Sequence, residues 1–350
     1  MSYPVSILSL ATQTPPHELH QDVAVEVARE VMAGNFRDFE RMTSVFTNAG
    51  IQQRQLARPV DWYRTERTFA ERTAVYLDTG LDLFIAAATC ALAEAGLSAD
   101  MIDTIVTVSS TGIATPSLEA RALGPMGFRT DVARVPVFGL GCAGGVSGLA
   151  LAAKLARAAP GSTVLFVTVE LCSLAFQTGN VGKADVISVA LFGDGAAACV
   201  LKAGDEGFVQ ITGSGEKIWP DTLDIMGWDI KPEGLGVVLN RAIPTFARDH
   251  MRAATEEMLA PQGLTIAAVD RFICHPGGAK VVDAIETALA LGQGSLDHER
   301  AVLRAHGNMS APTALFVLDE VRKAGLPPLS VLTALGPGFT ASTVTLRRAA

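Results

Sequence analysis

Strand-like runs and helical stretches alternate along this whole chain, and the alternation restricts the folds open to it. Runs of apolar and β-branched residues predict strands at Val5–Leu10, Thr104–Val108, Thr163–Val169, Ala196–Leu201, Phe208–Thr212, Arg271–Cys274, Ser330–Leu335 and Ser342–Leu346. Amphipathic periodicity predicts helices between them, at roughly 22–33, 81–96, 143–158, 279–291 and 312–324. A polar linker at Lys202–Gly207 separates two such series. The pattern predicts an α/β protein with two related halves, 1–205 and 206–350, around one core.

Composition excludes several classes of protein. The chain has 350 residues, 49% of them hydrophobic and 18% charged, which is enough apolar material for a large core. A net charge of −8 argues against nucleic acid as a partner. No uncharged apolar window approaches the ~18 residues of a membrane span. The five cysteines have neither metal-ligand nor disulfide spacing, so we expect a reduced, cytoplasmic protein without a bound metal.

Cys142 lies where a predicted buried strand, Arg134–Phe138, gives way to a helix through GLGCAGG. At a helix N-terminus, free backbone N–H groups and the positive end of the dipole favour a thiolate, which is a nucleophile. The alternative is a small buried hydrophobe, since free cysteine is among the most buried residue types. This segment alone leaves both interpretations open.

The same loop also matches the G-x-G-x-x-G pattern of dinucleotide-binding folds. It runs from Gly139 to Gly144, and the next strand ends in Glu170, where such folds place a ribose-binding acid. A cysteine inside the loop has no use in binding pyrophosphate, however. The dinucleotide interpretation also leaves the motifs that follow unexplained.

Two further segments carry polar residues at the ends of apolar runs. His275 follows a predicted strand directly and precedes Pro276-Gly277-Gly278, so it is either a ring that points into a cleft or a satisfied core histidine, and this segment alone does not decide between them. Asn308 precedes a helix, where it is either an N-cap, as Ser310 also could be, or an amide donor to a developing oxyanion. The remaining histidines are expected at the surface (His17, His20, His250 and His298) or stay ambiguous (His306).

Five segments in this order resemble the type III polyketide synthases, the chalcone synthase-like family of the thiolase-fold superfamily. They are GLGCAGG around Cys142, LFGDGAAA around Phe192, CHPGG around His275, GNMSAP around Asn308, and GPGFT near the C-terminus. The ketoacyl synthases III, which also use Cys, His and Asn, carry their histidine in a different context. Hydroxymethylglutaryl-CoA synthases and thiolases fit less well.

The resemblance implies a five-layered αβαβα thiolase-like fold and an acyltransferase that performs decarboxylative Claisen condensation. Cys142, as a thiolate paired with protonated His275, would take the acyl group from an acyl-CoA. His275 and Asn308 would then stabilise the enolate formed from malonyl-CoA. No cofactor is implied, because decarboxylation itself generates the carbanion.

The resemblance also implies a substrate pocket, a CoA site and a homodimer. The pocket positions are Phe192, Thr111, Thr115, Cys172, Ala175, Val237, Gly338 and Phe339, and the CoA positions are Arg54, Gly277, Gly278 and Ser310. Thr115 would lie near the subunit boundary. Small pocket residues suggest a fatty acyl starter and an alkylpyrone or alkylresorcinol product. The alternatives are a ketoacyl-ACP synthase III-like enzyme and a non-catalytic acyl-binding scaffold.

Overall fold

The structure is a computed structural model that describes residues 4–179, 181–204, 206–232 and 234–348. Its strands are β1 Val5–Gln13, β2 His17–His20, β3 Gln53–Leu56, β4 Thr104–Val108, β5 Ala133–Val137, β6 Thr163–Leu171, β7 Asp194–Ala203, β8 Val209–Ile218, β9 Met226–Lys231, β10 Gly234–Leu239, β11 Arg271–Cys274, β12 Leu329–Gly336 and β13 Thr340–Arg348. Its α-helices are α1 Gln21–Met32, α2 Phe39–Met42, α3 Ser44–Asn48, α4 Phe69–Ala95, α5 Leu118–Met126, α6 Gly144–Ala158, α7 Lys183–Leu191, α8 Ile243–Leu259, α9 Ala279–Leu289, α10 Asp297–His306 and α11 Ala311–Gly325.

Nine strands form one mixed sheet in the order β11-β12-β13-β8-β1-β7-β6-β4-β5. The parallel pairs lie towards its two ends, where β4 pairs with β5 and β6, and β11 pairs with β12. The antiparallel pair β1–β8 joins the strands of the first half to those of the second. Two hairpin-like pairs, β2–β3 and β9–β10, lie outside this sheet.

Three buried clusters separate the layers. The central cluster joins α6 and α11 to the sheet on both sides, through residues such as Phe166, Leu315 and Val344. A second cluster packs α4 and α5 against the outer face of the first half, and a third packs α8 and α9 against the outer face of the second. The layers are α4 and α5, the first half of the sheet, α6 and α11, the second half of the sheet, and α8 and α9, which confirms the predicted five-layered α/β arrangement.

Helix α4 is long and apolar enough to cross a membrane by length and composition alone. In its most apolar window, 56% of the residues are buried inside the protein. The helix packs on β1, β6 and β7, with Phe84 and Ala87 fully buried. Packing against the sheet therefore accounts for its apolar face without a bilayer.

One predicted strand, β5, is more exposed than expected. Strand β5 was expected to be buried, but Ala133, Arg134 and Pro136 are exposed, because β5 forms one end of the nine-stranded sheet. Proline lacks the N–H that a central strand must donate, so Pro136 fits an edge strand. The predicted boundary between the halves falls at residue 205, which lies outside the described residues.

Candidate active site

One apolar cavity of about 360 Å³ brings the three predicted reactive side chains together. Cys142, His275 and Asn308 all line it, although they lie on three different parts of the chain. Its volume falls within the range of small-molecule sites, which are mostly apolar with a few convergent polar groups. The apolar part of the wall includes Val45, Ile187, Leu191, Phe192, Met226, Trp228, Val237, Val238, Leu239 and Ile243.

Cys142 lies in a single 3₁₀ turn, Gly141–Ala143, that leads directly into α6. Its position at a helix N-terminus is therefore as predicted. Gly141 has φ +48, and a Cβ there would lie 2.7 Å from Cδ of Pro337, so only glycine fits. A Cβ on Gly145 would lie 2.2 Å from the carbonyl oxygen of Ala311. The glycines of this loop thus allow α6 to approach α11 closely.

A buried carboxyl group supports the Cys142 loop from behind. Both oxygens of Glu170 accept hydrogen bonds from the backbone N–H of Ser110 at 3.0 Å, and one also accepts from the Thr111 hydroxyl at 2.7 Å. Ser110 Oγ in turn accepts from the N–H groups of Gly139 and Gly141. Burial raises the pKa of Glu170 to about 8. Because Glu170 is fully buried in this network, it is not the exposed ribose-binding acid of a dinucleotide fold.

Burial favours the neutral forms of both Cys142 and His275. Burial raises the pKa of the Cys142 thiol to about 11, although hydrogen bonds with the side chains of Ser310 and Asn308 act in the opposite direction. Burial lowers the pKa of His275 to about 4. Both ring nitrogens of His275 are buried without a hydrogen-bond partner among the described residues. The thiolate–imidazolium pair that the family resemblance implies stays a prediction, and burial acts against both of its charges.

Hydrogen bonds fix both the nitrogen and the oxygen of the Asn308 side chain. Its Nδ2 donates to the carbonyl of Gly277 at 3.2 Å, and its Oδ1 accepts from the N–H of Ser310 at 2.8 Å. Residue Ser310 is the N-cap of α11 but makes no side-chain cap bond. Asn308 is thus not a helix cap. An amide NH₂ has two donors: one goes to Gly277, and the Asn308 side chain also hydrogen-bonds the Cys142 thiol, so a ligand in the cavity would compete with the thiol for the second donor.

Backbone pairing connects Asn308 to Phe192 in the cavity wall. Its N–H donates to the carbonyl of Leu191 at 2.8 Å, and its carbonyl accepts from Gly193 N–H at 3.0 Å, which forms a parallel bridge with Phe192. The Phe192 ring contacts the Trp228 ring, with centroids 6.2 Å apart. Val237 is the register partner of Trp228 on β9–β10. Phe192 and Val237 thus line the cavity as predicted, and Trp228 was missed.

Six predicted pocket residues do not line this cavity. The Thr111 hydroxyl is occupied by Glu170 and by the N–H of Leu171. Cys172 and Ala175 are buried behind the wall. Thr115 is exposed on the loop before α5. Phe339 is fully buried against Trp219 and Phe246, and Gly338 lies beside it; both belong to the packing around α8.

Of the predicted CoA residues, some line the cavity and one does not. Gly277, Gly278 and Ser310 all line the cavity, and Ser310 also hydrogen-bonds the Cys142 thiol. Arg54 is fully buried, so its assignment as a phosphate ligand is wrong. Two exposed cations that line the cavity, Arg241 and Lys280, were missed. Lys280 follows the HPGG motif by two residues, and that position could have identified it.

The five-layered fold and a cavity that gathers cysteine, histidine and asparagine define the class of condensing enzymes that act on acyl thioesters. Residues 5–205 match the N-terminal domain of the chalcone and stilbene synthases, and residues 210–350 match the C-terminal domain. The chain therefore belongs to the chalcone and stilbene synthase family, the type III polyketide synthases, and is an acyltransferase.

Individual relatives cover nearly the whole chain. It is 38% identical to a 1,3,6,8-tetrahydroxynaphthalene synthase of Streptomyces peucetius subsp. caesius, over 98% of this chain and 93% of the relative. It is 35% identical to a putative chalcone synthase of Bacillus subtilis, over 95% and 96%. The crystal structure of the 1,3,6,8-tetrahydroxynaphthalene synthase of Streptomyces coelicolor superposes with a TM-score of 0.93 at 27% identity, over 99% of both chains.

Proposed function

We propose that this synthase loads a fatty acyl group from CoA onto Cys142, extends it with malonyl-CoA, and releases an alkylpyrone or alkylresorcinol. The observation that carries the proposal is the cavity itself, a mostly apolar space into which Cys142, His275 and Asn308 converge. An alkyl chain gains free energy on leaving water for such a wall, at about 0.8 kcal/mol for each buried CH₂.

In the loading step, His275 acts as general base on a neutral thiol. It takes the proton of Cys142 while the sulfur attacks the thioester carbonyl, and the CoA thiolate leaves with that proton. The unpartnered ring nitrogens of His275 and their burial at the cavity favour this role. The backbone N–H of Cys142, at the start of α6, is positioned as a donor to the oxyanion.

In the extension step, malonyl-CoA loses CO₂ and its electron pair moves to the thioester oxygen. His275 Nε2 and Asn308 Nδ2 donate hydrogen bonds to that oxygen, and each oriented donor contributes roughly 10²–10³ in rate. The carbanion then attacks the acyl carbon, and the bond to Cys142 sulfur breaks. The chemistry requires no metal or redox cofactor, since decarboxylation supplies the electron pair.

The cations Arg241 and Lys280 line the cavity and are exposed, which favours them as partners for the phosphates of CoA. We place the protein in the cytoplasm, where CoA thioesters are available, as a homodimer. The exposed edge strand β5 and the exposed Thr115 loop, with Ile113 and Phe138 48% and 56% exposed, favour that face as the subunit contact.

A second candidate follows from the 38% identity to a tetrahydroxynaphthalene synthase. Under that candidate, the product is an aromatic polyketide rather than an alkylpyrone. Trp228 supports it, because the indole occupies the wall beside Phe192 and narrows the space for a long chain.

Mass spectrometry of products from malonyl-CoA, alone and with hexanoyl- to palmitoyl-CoA, tests both candidates. Products whose mass increases with the starter chain support the fatty acyl proposal. Efficient conversion of malonyl-CoA alone to tetrahydroxynaphthalene, with fatty acyl-CoA inert, would replace it with the second candidate. A requirement for malonyl-ACP would favour the ketoacyl synthase III-like alternative.

A further inference from the structure

Arg54 on β3 is a fully buried cation whose bonds do not go to a carboxylate. Its Nη1 donates to Gln21 Oε1 at 2.6 Å and to the carbonyl of Ala190 at 3.1 Å, and its Nη2 donates to the carbonyl of Val189 at 2.5 Å. In the part of the chain that the structure describes, no ion pair involves Arg54. The buried Asp194 carboxylate acts on Arg54 electrostatically but forms no ion pair with it, and a buried charge without a contacting counter-ion is costly. Its placement therefore calls for an explanation other than stability alone.

The carbonyls that Arg54 contacts belong to the last turn of α7. A helix leaves its last four carbonyls without intrahelical partners, and the negative end of the helix dipole favours a cation there. In α7, each of the four is satisfied. Ser188 accepts from Phe192 N–H, Val189 and Ala190 accept from Arg54, and Leu191 accepts from Asn308 N–H. The same turn therefore connects Arg54 to Asn308.

The stem of Arg54 also supports the bridge between Phe192 and Asn308. A Cβ added to Gly193 would lie 3.1 Å from Cβ of Arg54, and one added to Gly307 would lie 3.5 Å from it. Gly193 and Gly307 flank the two bridge residues, so the arginine stem packs directly against both strands of the bridge. Gln21 completes the support, since its Nε2 donates to the carbonyls of Ala190 and Phe46 at 3.0 Å.

We propose that Arg54 is a positioning residue for decarboxylation: it fixes the last turn of α7 and thereby the backbone that aims the Asn308 amide into the cavity. Arg54 itself touches no substrate. The inference rests on the proposed role of Asn308 in malonyl-CoA decarboxylation. A planar guanidinium can hold two adjacent carbonyls at once, whereas an ammonium is a point donor. Displacement of a catalytic group by about 1 Å can cost about 10²-fold in rate.

Two rates of the same protein separate this role from general stabilisation. One is CO₂ release from malonyl-CoA, which needs the Asn308 donor. The other is acyl transfer from an acyl-CoA to Cys142, followed by intact-protein mass spectrometry, which needs the thiol and His275. We expect Arg54→Met to lower kcat for CO₂ release by about 10- to 100-fold while the loading rate changes by less than about threefold. Arg54→Lys should recover part of the loss.

Arg72 provides a matched control. It is also buried and donates to backbone carbonyls, those of Leu174 and Arg67, but it does not touch the last turn of α7. Arg72→Met should lower the melting temperature without changing the ratio of the two rates. Gln21→Ala is a milder variant at the Arg54 site and should reduce CO₂ release selectively, even if Arg54→Met fails to fold.

The outcomes are distinct. Equal losses of loading and CO₂ release in the Arg54 and Gln21 variants, or the same change of ratio in Arg72→Met, would overturn the positioning role. A wild-type protein that releases no CO₂ from malonyl-CoA would instead overturn the proposed function, and this inference with it. A selective loss at Arg54 and Gln21 alone supports both.

Discussion

The neutral state of Cys142 leads to a pH dependence that a thiolate nucleophile would not give. Burial raises the pKa of this thiol from 9.0 to about 11. At pH 8 the thiolate fraction is then about 10⁻³, compared with about 10⁻¹ for a thiol at 9.0, since each pKa unit changes the fraction tenfold. We therefore expect alkylation of Cys142 by iodoacetamide to accelerate about tenfold per pH unit between pH 7 and 9, without a plateau.

Peptide mass spectrometry after timed alkylation gives this rate directly. Cys90 is the exposed cysteine on α4 and serves as an internal reference for the reagent, whereas Cys172, Cys199 and Cys274 are buried. Restricted access to the cavity changes the absolute rate at Cys142 but not its slope against pH. The slope is therefore the quantity that tests the electrostatics.

Two variants sharpen the test. Ser310→Ala should slow alkylation of Cys142 at every pH below 9, because the Ser310 hydrogen bond lowers the pKa of the thiol. His275→Gln should leave the slope unchanged, because the imidazole is neutral in this state. The opposite result would be a wild-type alkylation rate that is constant from pH 6 upwards and an alkylation rate that rises with pH in His275→Gln. That result would refute the neutral thiol and imidazole and support the thiolate–imidazolium pair.

Three further predictions concern the donor, the wall and the buried acids. Asn308→Ala should lower CO₂ release from saturating malonyl-CoA by about 10²–10³, as measured with ¹⁴C-malonyl-CoA; a change below threefold contradicts the donor role. Trp228→Ala should shift the preferred starter to longer chains in competition assays with mixed acyl-CoAs, and an unchanged profile would mean that the indole does not limit the cavity. Burial raises the pKa of Glu170 to about 8 and of Asp194 to about 7, above the ordinary values of 4.5 and 3.8. Their stabilisation is thus complete below about pH 4, falls as pH rises between the ordinary and the raised pKa values, and is lost above about 8 and 7 respectively, so Glu170→Gln should flatten the fall in melting temperature between about pH 5 and 8.

The sequence predicts strands best where they are short and uniformly apolar. The bounds of β4 and β11 match the predicted ones, because polar or turn residues flank both runs. Helix α4 begins twelve residues before its predicted start, since polar side chains obscure the periodicity of its first turns. The capping box formed by Thr68 and Glu71 marks that start and could have been recognised.

Helix α7 escaped prediction for the opposite reason. Its sequence, KADVISVAL, is apolar around most of its circumference, because the helix packs on several sides and presents no polar face. The β9–β10 pair was missed as well, and with it Trp228. The two elements supply much of the cavity wall, so the sequence located the reactive groups but not the space around them.

Whether a site residue was predicted correctly depends on how far along the sequence its positioning interactions reach. Cys142, His275 and Asn308 lie at motif positions where local turns determine where each side chain points. The environment of Arg54 is set by residues more than a hundred positions away, at Val189 and Ala190. An arginine in a short polar strand gives no local sign of burial, and the sequence therefore assigned it to solvent and phosphate.

The bridge between Phe192 and Asn308 has a consequence for directed evolution of this enzyme. Phe192 in the cavity wall and Asn308, the proposed donor to the extender, are joined by one backbone bridge. Libraries that diversify position 192 for new starters should therefore yield variants in which broader starter scope accompanies slower extension. In a second round of selection, substitutions that increase turnover should then accumulate at 188–193 and 306–310, where backbone adjustments can realign the Asn308 amide. Fewer should appear in the cavity wall that contacts the new starter chain.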